Sequence, residues 1–366
     1  MLKHRPQLDS LRAFAVLAVL LGHFGNLPIA GQGVELFFVL SGFLITRILV
    51  DGKSQCENLP VSHKSFLLRQ FYVRRFLRIF PPYYALLLAL ALATRCNSNQ
   101  HLGWDNALLW KSMWFHATYT SNFWFTFTDG WDPWITSHFW SLAIEEQFYL
   151  FWPWIIISVP RKHLWIAATL LSLSAPVFRE VMLACHANKI AIGTLTPSYF
   201  DFLGLGGLVA VVWENRRAQV LLRLVGSFTI VLLGVGLAVG FAMQNLVVLW
   251  ALAFTALVSK GAEGFTGPVG SLLRWSVLRY IGRISYGMYL YHFPALLLVA
   301  RACKRLHAPF PDVGANRFAV VGIVTVSIAA LSWHLFEGPI NRLKRFFPYR
   351  VRRKPDELAL PAALQA

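Results

Sequence analysis

Charge is scarce in this chain. Of 366 residues only 14% are charged and 56% are hydrophobic, giving a mean hydropathy of +0.52. That is too apolar for a water-soluble domain of this length. Acids are rarer still, 17 against 34 lysines and arginines. The excess base clusters between apolar runs instead of forming a stripe, which argues against nucleic acid as a partner. Cysteine is sparse, four in all with no CxxC pair, so no metal or redox motif is present and no metal is expected. Heptads, fixed-period repeats and an inverted pair of broken helices are all missing, which removes coiled coils, solenoids and a common transporter plan.

What remains is a succession of apolar stretches at roughly residues 10–30, 33–50, 79–95, 137–158, 163–178, 198–213, 224–242, 245–259, 280–300 and 316–336, each about the length that crosses a ~30 Å hydrocarbon layer. The expected fold is an all-α integral membrane protein with about ten transmembrane helices in one bundle. Placing both termini in the cytoplasm leaves only Arg95, Lys111, Arg179, Lys189, Arg301, Lys304, Arg305 and Arg317 of the 34 basic residues outside. This is the positive-inside pattern, and it predicts a multi-pass protein of the cell (inner) membrane, in contact with its lipids. The start resembles a secretory signal, but no clean cleavage site follows and a second span comes at once. Residues 346–366 read as a basic, disordered cytoplasmic tail. Cys96, Cys185 and Cys303 fall on the outer side, where a disulfide is permitted.

Ionisable side chains inside apolar spans are costly, so each calls for an account. His23 lies fourteen residues past Asp9, about 21 Å along a helix, in the outer part of the first span. The fourth span, "SHFWSLAIEEQFYLFWPW", runs the other way and brings Glu145 to about that depth. His138, Ser141 and Glu145 share one face by helical spacing, whereas Glu146 sits beside Leu142, Tyr149 and Leu150. Glu145 is therefore expected as the partner of His23, with Glu35 a third acid in the same layer. A histidine with a carboxylate is an apparatus for removing a hydroxyl proton; the same residues also suit a buried network that only locks helices together. His292, beside Tyr289 and the kinking Pro294, is expected to support the site by hydrogen bonding, with Ser141 and Trp140 as further candidates for acceptor contact. The segment 96–136 is rich in tryptophan, which suits either an interfacial belt or stacking on sugar rings.

"FYVRRFLRIFPPYY" sets Arg74, Arg75 and Arg78 on one helical face before a proline pair. They can anchor the helix on anionic lipid or clamp phosphate oxygens, which guanidinium forks fit well. Arg12, near the inner end of the first span, is a snorkelling candidate.

Six stretches, "LDSLRAFAVLAVLLGHFG", "GVELFFVLSGFLIT", "FYVRRFLRIFPPYY", "FWSLAIEEQFYLFWP", "YIGRISYGMYLYHFP" and "FEGPINR", resemble in content and order the motifs of the membrane-bound acyltransferase-3 family, over residues 8 to about 345. The resemblance implies a ten-helix enzyme occupying residues 1–345. Such an enzyme takes an acyl group, commonly acetyl, from cytoplasmic acyl-CoA and passes it to a hydroxyl of an extracytoplasmic acceptor, often a cell-surface or lipid-linked carbohydrate. It implies His23 as base and Arg12 as the family's nearby arginine. Arg75 and Arg78 match the donor-binding RxxR pair, and Glu145 and Glu146 match the acidic motif. The soluble esterase-like domain that some relatives carry at the C terminus is not expected here, and acceptor selectivity is expected from the membrane unit and its outer loops. The proposed step has His23 deprotonate the acceptor hydroxyl while Glu145 steadies the imidazolium; an acetyl-histidine intermediate is the variant. The competing readings are a proton-coupled transporter or flippase for an anionic or lipid-linked substrate, and a structural partner of polysaccharide biosynthesis or export machinery.

Overall fold

The computed structural model describes residues 5–56, 61–96, 105–238 and 247–349. Within them the chain is helical and no strand occurs. The α-helices are α1 (Pro6–Phe24), α2 (Ala30–Cys56), α3 (Val61–Cys96), α4 (Asn106–Ala117), α5 (Ser121–Thr128), α6 (Phe139–Ser158), α7 (Leu164–Ala184), α8 (Lys189–Thr194), α9 (Phe200–Val211), α10 (Arg216–Ala238), α11 (Val247–Glu263), α12 (Gly267–Leu272), α13 (Ser276–Arg305), α14 (Ala315–Ser332) and α15 (Gly338–Arg342).

Five helical stretches are long and apolar enough to cross a membrane: Pro6–Phe24, Ala30–Ser54, Lys64–Arg95, Arg161–Ala184 and Ala315–Phe346. The other expected spans coincide with α6, α9, α10, α11 and α13, which carry more polar residues or are shorter. The sixth is the most altered. Pro197 opens a short 3₁₀ turn, Thr196–Tyr199, and the continuous helix after it is only the 12 residues of α9. Parts of the seventh and eighth expected spans, residues 239–246, lie outside the described residues, as do residues 350–366 of the expected tail. Residues 346–349 are not free: Arg74 donates to the Phe347 carbonyl at 3.1 Å and stacks on the Tyr349 ring at 4.9 Å. Cys185 and Cys303 are free thiols, and the Cys96 side chain lies outside the described set.

Helices in lipid gain little from apolar burial, since the lipid is as apolar as the side chains, so close backbone approach carries the packing. The central helix α2 packs on α9, α1, α11 and α6. A Cβ on Gly42 would come within 2.0 Å of the Leu203 carbonyl oxygen, and one on Gly206 within 2.2 Å of that of Val39. The glycine run "FLGLGG" thus sets the α2–α9 contact. Gly282 does the same for α13 on α1, its Cβ position lying 1.7 Å from the Asp9 carbonyl.

The segment after α3 is not a loose outer loop. Asp105 caps α4 by accepting from the amides of Ala107 and Leu108 at 2.7 and 3.1 Å. The chain then turns at Tyr119, which has φ of 53°, and returns as α5. This hairpin reaches inward along α3 and α6. Its turn carbonyls need partners away from water. Tyr83 donates to His116 at 2.8 Å, Tyr84 to Ala117 at 2.7 Å and Gln147 to Tyr119 at 2.9 Å. Trp114 is 74% exposed, and Trp131, 44% exposed, lines the cavity that also holds His23.

Candidate active site

Three cavities follow one another through the bundle. At the end bearing the arginines, a cavity of about 290 Å³ is lined by Asp9, Arg12, Ile48, Arg74, Arg75, Arg78, Arg283, Lys344 and Tyr349. α3 supplies three of these cations from one face, α1 supplies Arg12, and α13 and the segment after α15 supply Arg283 and Lys344. The guanidinium groups differ in freedom. Arg74 donates to the Lys344 carbonyl at 2.7 Å as well as to Phe347. Arg78 donates to the Arg283 carbonyl at 3.3 Å and lies over the Trp333 ring. Arg75 makes no hydrogen bond among the described residues; it lies over the Tyr149 ring at 4.9 Å. So much positive charge around an open space favours an anion with several oxygens.

Arg12, Arg75 and Arg78 also line the second, narrower cavity, about 80 Å³, with Ser41, Ser141, Glu145, Glu146, Tyr149, Tyr286 and Tyr289. Glu145 accepts from the Ser41 hydroxyl at 2.5 Å, and Ser41 accepts from Tyr149 at 2.9 Å. Both adjacent acids face this space, not Glu145 alone. Further along, the Ser141 and Tyr289 hydroxyls are 2.5 Å apart, and Tyr289 donates to the His138 carbonyl at 3.1 Å.

Val34 and Tyr289 are shared with the third cavity, about 340 Å³, which is also lined by His23, Ala30, Gly31, Trp131, Ser137, His138, Trp140 and Phe293. His23 is in the last turn of α1, whose end is tied to α14 by the Gly314 amide donating to the Phe24 carbonyl at 2.9 Å. The His23 ring is exposed. It stacks on His292 with centroids 5.2 Å apart and meets Phe293 edge-on. Trp140 leans on Tyr199, centroids 5.4 Å apart.

His23 and Glu145 are therefore not partners in this structure. They open onto different cavities, and His292 is the polar ring beside His23. The helical-face argument placed Glu145 inside correctly, but depth along two helices does not fix which neighbour a side chain meets. Glu35 is separate again. Its Oε2 is buried without a hydrogen-bond partner, and its charged neighbours are Asp201 and Arg179, themselves paired at 2.6 Å.

Sequence reasoning gave no site role to Ser41, Tyr149, His138 or Glu337. The first three carry helical-spacing signals. Glu337 has no spacing signal, though it stands in the "FEGPINR" stretch; it lies in a π-helical turn over Trp333–Glu337. There it is 2% exposed and accepts from Ser332 at 2.9 Å. Among the described residues no three His, Cys, Asp or Glu side chains converge as metal ligands do.

An imidazole stands at one end of this file of cavities, a basic chamber at the other and a hydroxyl-lined passage between them. Residues 5–336 match the acyltransferase domain of the acyltransferase-3 family, and the chain belongs to that family. Membership of this family gives no support to the transporter reading. It is similar to the putative peptidoglycan O-acetyltransferase YrhL of Bacillus subtilis, 30% identical over 389 residues, covering 96% of this chain and 58% of that protein. It is also similar to the peptidoglycan O-acetyltransferase OatA of Listeria monocytogenes, 30% identical over 93% of this chain and 56% of the relative. The putative O-acetyltransferase SAS0844 of Staphylococcus aureus is 26% identical over 93% of this chain and 58% of its own length. The chain thus spans somewhat more than half the length of these curated relatives. No solved structure matches it.

Proposed function

We propose that this protein is a membrane O-acetyltransferase moving an acetyl group from cytoplasmic acetyl-CoA to a hydroxyl of an extracytoplasmic glycan. The peptidoglycan named in its relatives is the first acceptor to consider. In this reading about ten helices cross the cell membrane and both termini are cytoplasmic. The single observation that carries it is that the three cavities lie in series, each sharing lining residues with the next.

The phosphates of the donor sit among Arg12, Arg74, Arg75 and Arg78, where guanidinium forks match phosphate oxygens. The pantetheine arm lies along the Ser41, Glu145 and Tyr289 passage, with Glu145 and Glu146 completing the polar wall around Arg75. Its thioester reaches His23. The acceptor enters the outer cavity, where Trp131 and Trp140 offer aromatic faces to a sugar ring. His23 takes the hydroxyl proton, the oxygen attacks the thioester carbonyl, the C–S bond breaks, and the thiolate of coenzyme A finally recovers a proton.

The test uses membranes with matched amounts of wild-type protein or His23→Ala, given acetyl-labelled coenzyme A. Label is expected in the glycan fraction with the wild type, and at least about a hundredfold less with the alanine. Equal labelling by both proteins would remove His23 from the chemistry, and no labelling with any acyl donor would remove the reading.

A further inference from the structure

His138 lines the outer cavity with His23, His292 is buried behind His23, and the protonation of both is dictated by the backbone. His292 is fully buried, and its Nδ1 lies 2.6 Å from the Tyr289 carbonyl oxygen. A carbonyl can only accept, so the proton is on Nδ1 and Nε2 carries a bare lone pair. His138 is 3% exposed and is fixed the opposite way. Its Nε2 lies 3.2 Å from the Leu290 carbonyl, which leaves the lone pair on Nδ1. Neither bare nitrogen has a hydrogen-bond partner, though both are buried. The His138 and His292 rings meet edge-on with centroids 4.6 Å apart, and His23 stacks on His292.

Two buried acceptors without donors are costly. They are in place for an N–H or O–H group that reaches them during the reaction, from a neighbouring side chain or from substrate. We infer that His138 and His292 are a pair of fixed hydrogen-bond acceptors serving His23, a role that rests on the acyl-transfer reading above. His292 is a positioning residue. It receives the N–H of His23 on the nitrogen opposite the one that takes the hydroxyl proton, so a neutral imidazole does what a carboxylate does elsewhere. The resting rings are 27° from parallel, a stacked geometry, so the bond forms when the exposed His23 ring turns about its Cβ–Cγ bond. His138, on the cavity wall, receives a hydroxyl of the acceptor beside the reacting one. No proton is gained or lost overall: it passes from the acceptor oxygen to His23 and leaves on the thiol of coenzyme A.

Because the two rings are pinned at opposite nitrogens, amide substitutions separate a structural role from the proposed one. At 292, Asn reproduces the bond to Tyr289 but not the acceptor, while Gln places an oxygen where Nε2 lies. At 138 the pattern inverts: Gln reproduces the bond to Leu290, and Asn places an oxygen at Nδ1. Steady-state acetyl transfer by the four variants, at matched folded abundance, is expected to cross. His292→Gln exceeds His292→Asn by about tenfold in kcat, with the acceptor KM little changed. His138→Asn exceeds His138→Gln by about tenfold in kcat/KM for the acceptor. The same order at both positions, or equal losses, with an active wild type, overturns the inference and leaves acyl transfer standing. A wild type that labels no glycan refutes the underlying reading instead. If the variants do not fold, ¹⁵N-histidine spectra of the wild type decide. Among the three buried histidines, His116 being the third, His292 is expected as the Nδ1–H and His138 as the Nε2–H tautomer, and like tautomers at these two positions would contradict the pairing.

Discussion

Glu145 takes its hydrogen bond from Ser41 on α2, 2.5 Å away, in the cavity it shares with Arg75 and not the one that holds His23. Its influence should fall on the donor. Glu145→Gln keeps the shape and can still meet Ser41, but withdraws the negative charge near Arg75. The expected outcome is an acetyl-CoA KM changed about tenfold with the acceptor KM within about twofold, read from kinetics with each substrate varied in turn.

The arginines should separate in the same way. Arg74 is committed to the carbonyls of Lys344 and Phe347 and to the Tyr349 ring, whereas Arg75 has no hydrogen bond among the described residues. Arg75→Lys should weaken donor binding about tenfold or more, because a lysine cannot make the bidentate fork. Arg74→Ala should weaken donor binding less than Arg75→Lys and also lower thermal stability, by loosening residues 344–349 from α3. Donor titrations alongside melting curves in detergent check both.

Most of the architecture was legible in the residues. Apolar length placed the helices, and the six motifs hold His23, Arg75, Arg78 and the two acids, which line the cavities. What a one-dimensional reading missed has physical causes. Glu337 lies in a π-helical turn, which has no local sequence signature. The α4–α5 hairpin looked like an outer loop because its polar turn is satisfied by Tyr83, Tyr84 and Gln147, residues far away in sequence. His23 was matched to Glu145 by depth alone, although the rotation of each helix decides which side chains meet.

Gln147 holds that hairpin. It donates to the Tyr119 carbonyl at 2.9 Å and to the Asn122 side chain at 3.0 Å, and it accepts from Thr196. Gln147→Leu leaves these groups unpaired and should cost about 1–3 kcal/mol. Protease cleavage near residue 119 should rise well before global unfolding in a detergent melt.

Gly282→Ala tests the close contact of α1 and α13. The added carbon would sit 1.7 Å from the Asp9 carbonyl oxygen, so the helices must separate, at about 1–3 kcal/mol or more. Since α1 carries Arg12 and His23, and α13 carries His292, activity per folded molecule should fall as well. Size-exclusion yield and specific transfer rate measure the two effects separately.

The central claim is that one chain of cavities joins donor and acceptor across the membrane, and sidedness tests it most directly. The protein is reconstituted into vesicles of fixed orientation, with labelled acetyl-CoA on one side only and a soluble glycan acceptor on the other. The account predicts label on the glycan when the donor is on the arginine side and the acceptor on the His23 side, and none with the sides exchanged. Transfer that requires both substrates on the same side would contradict it.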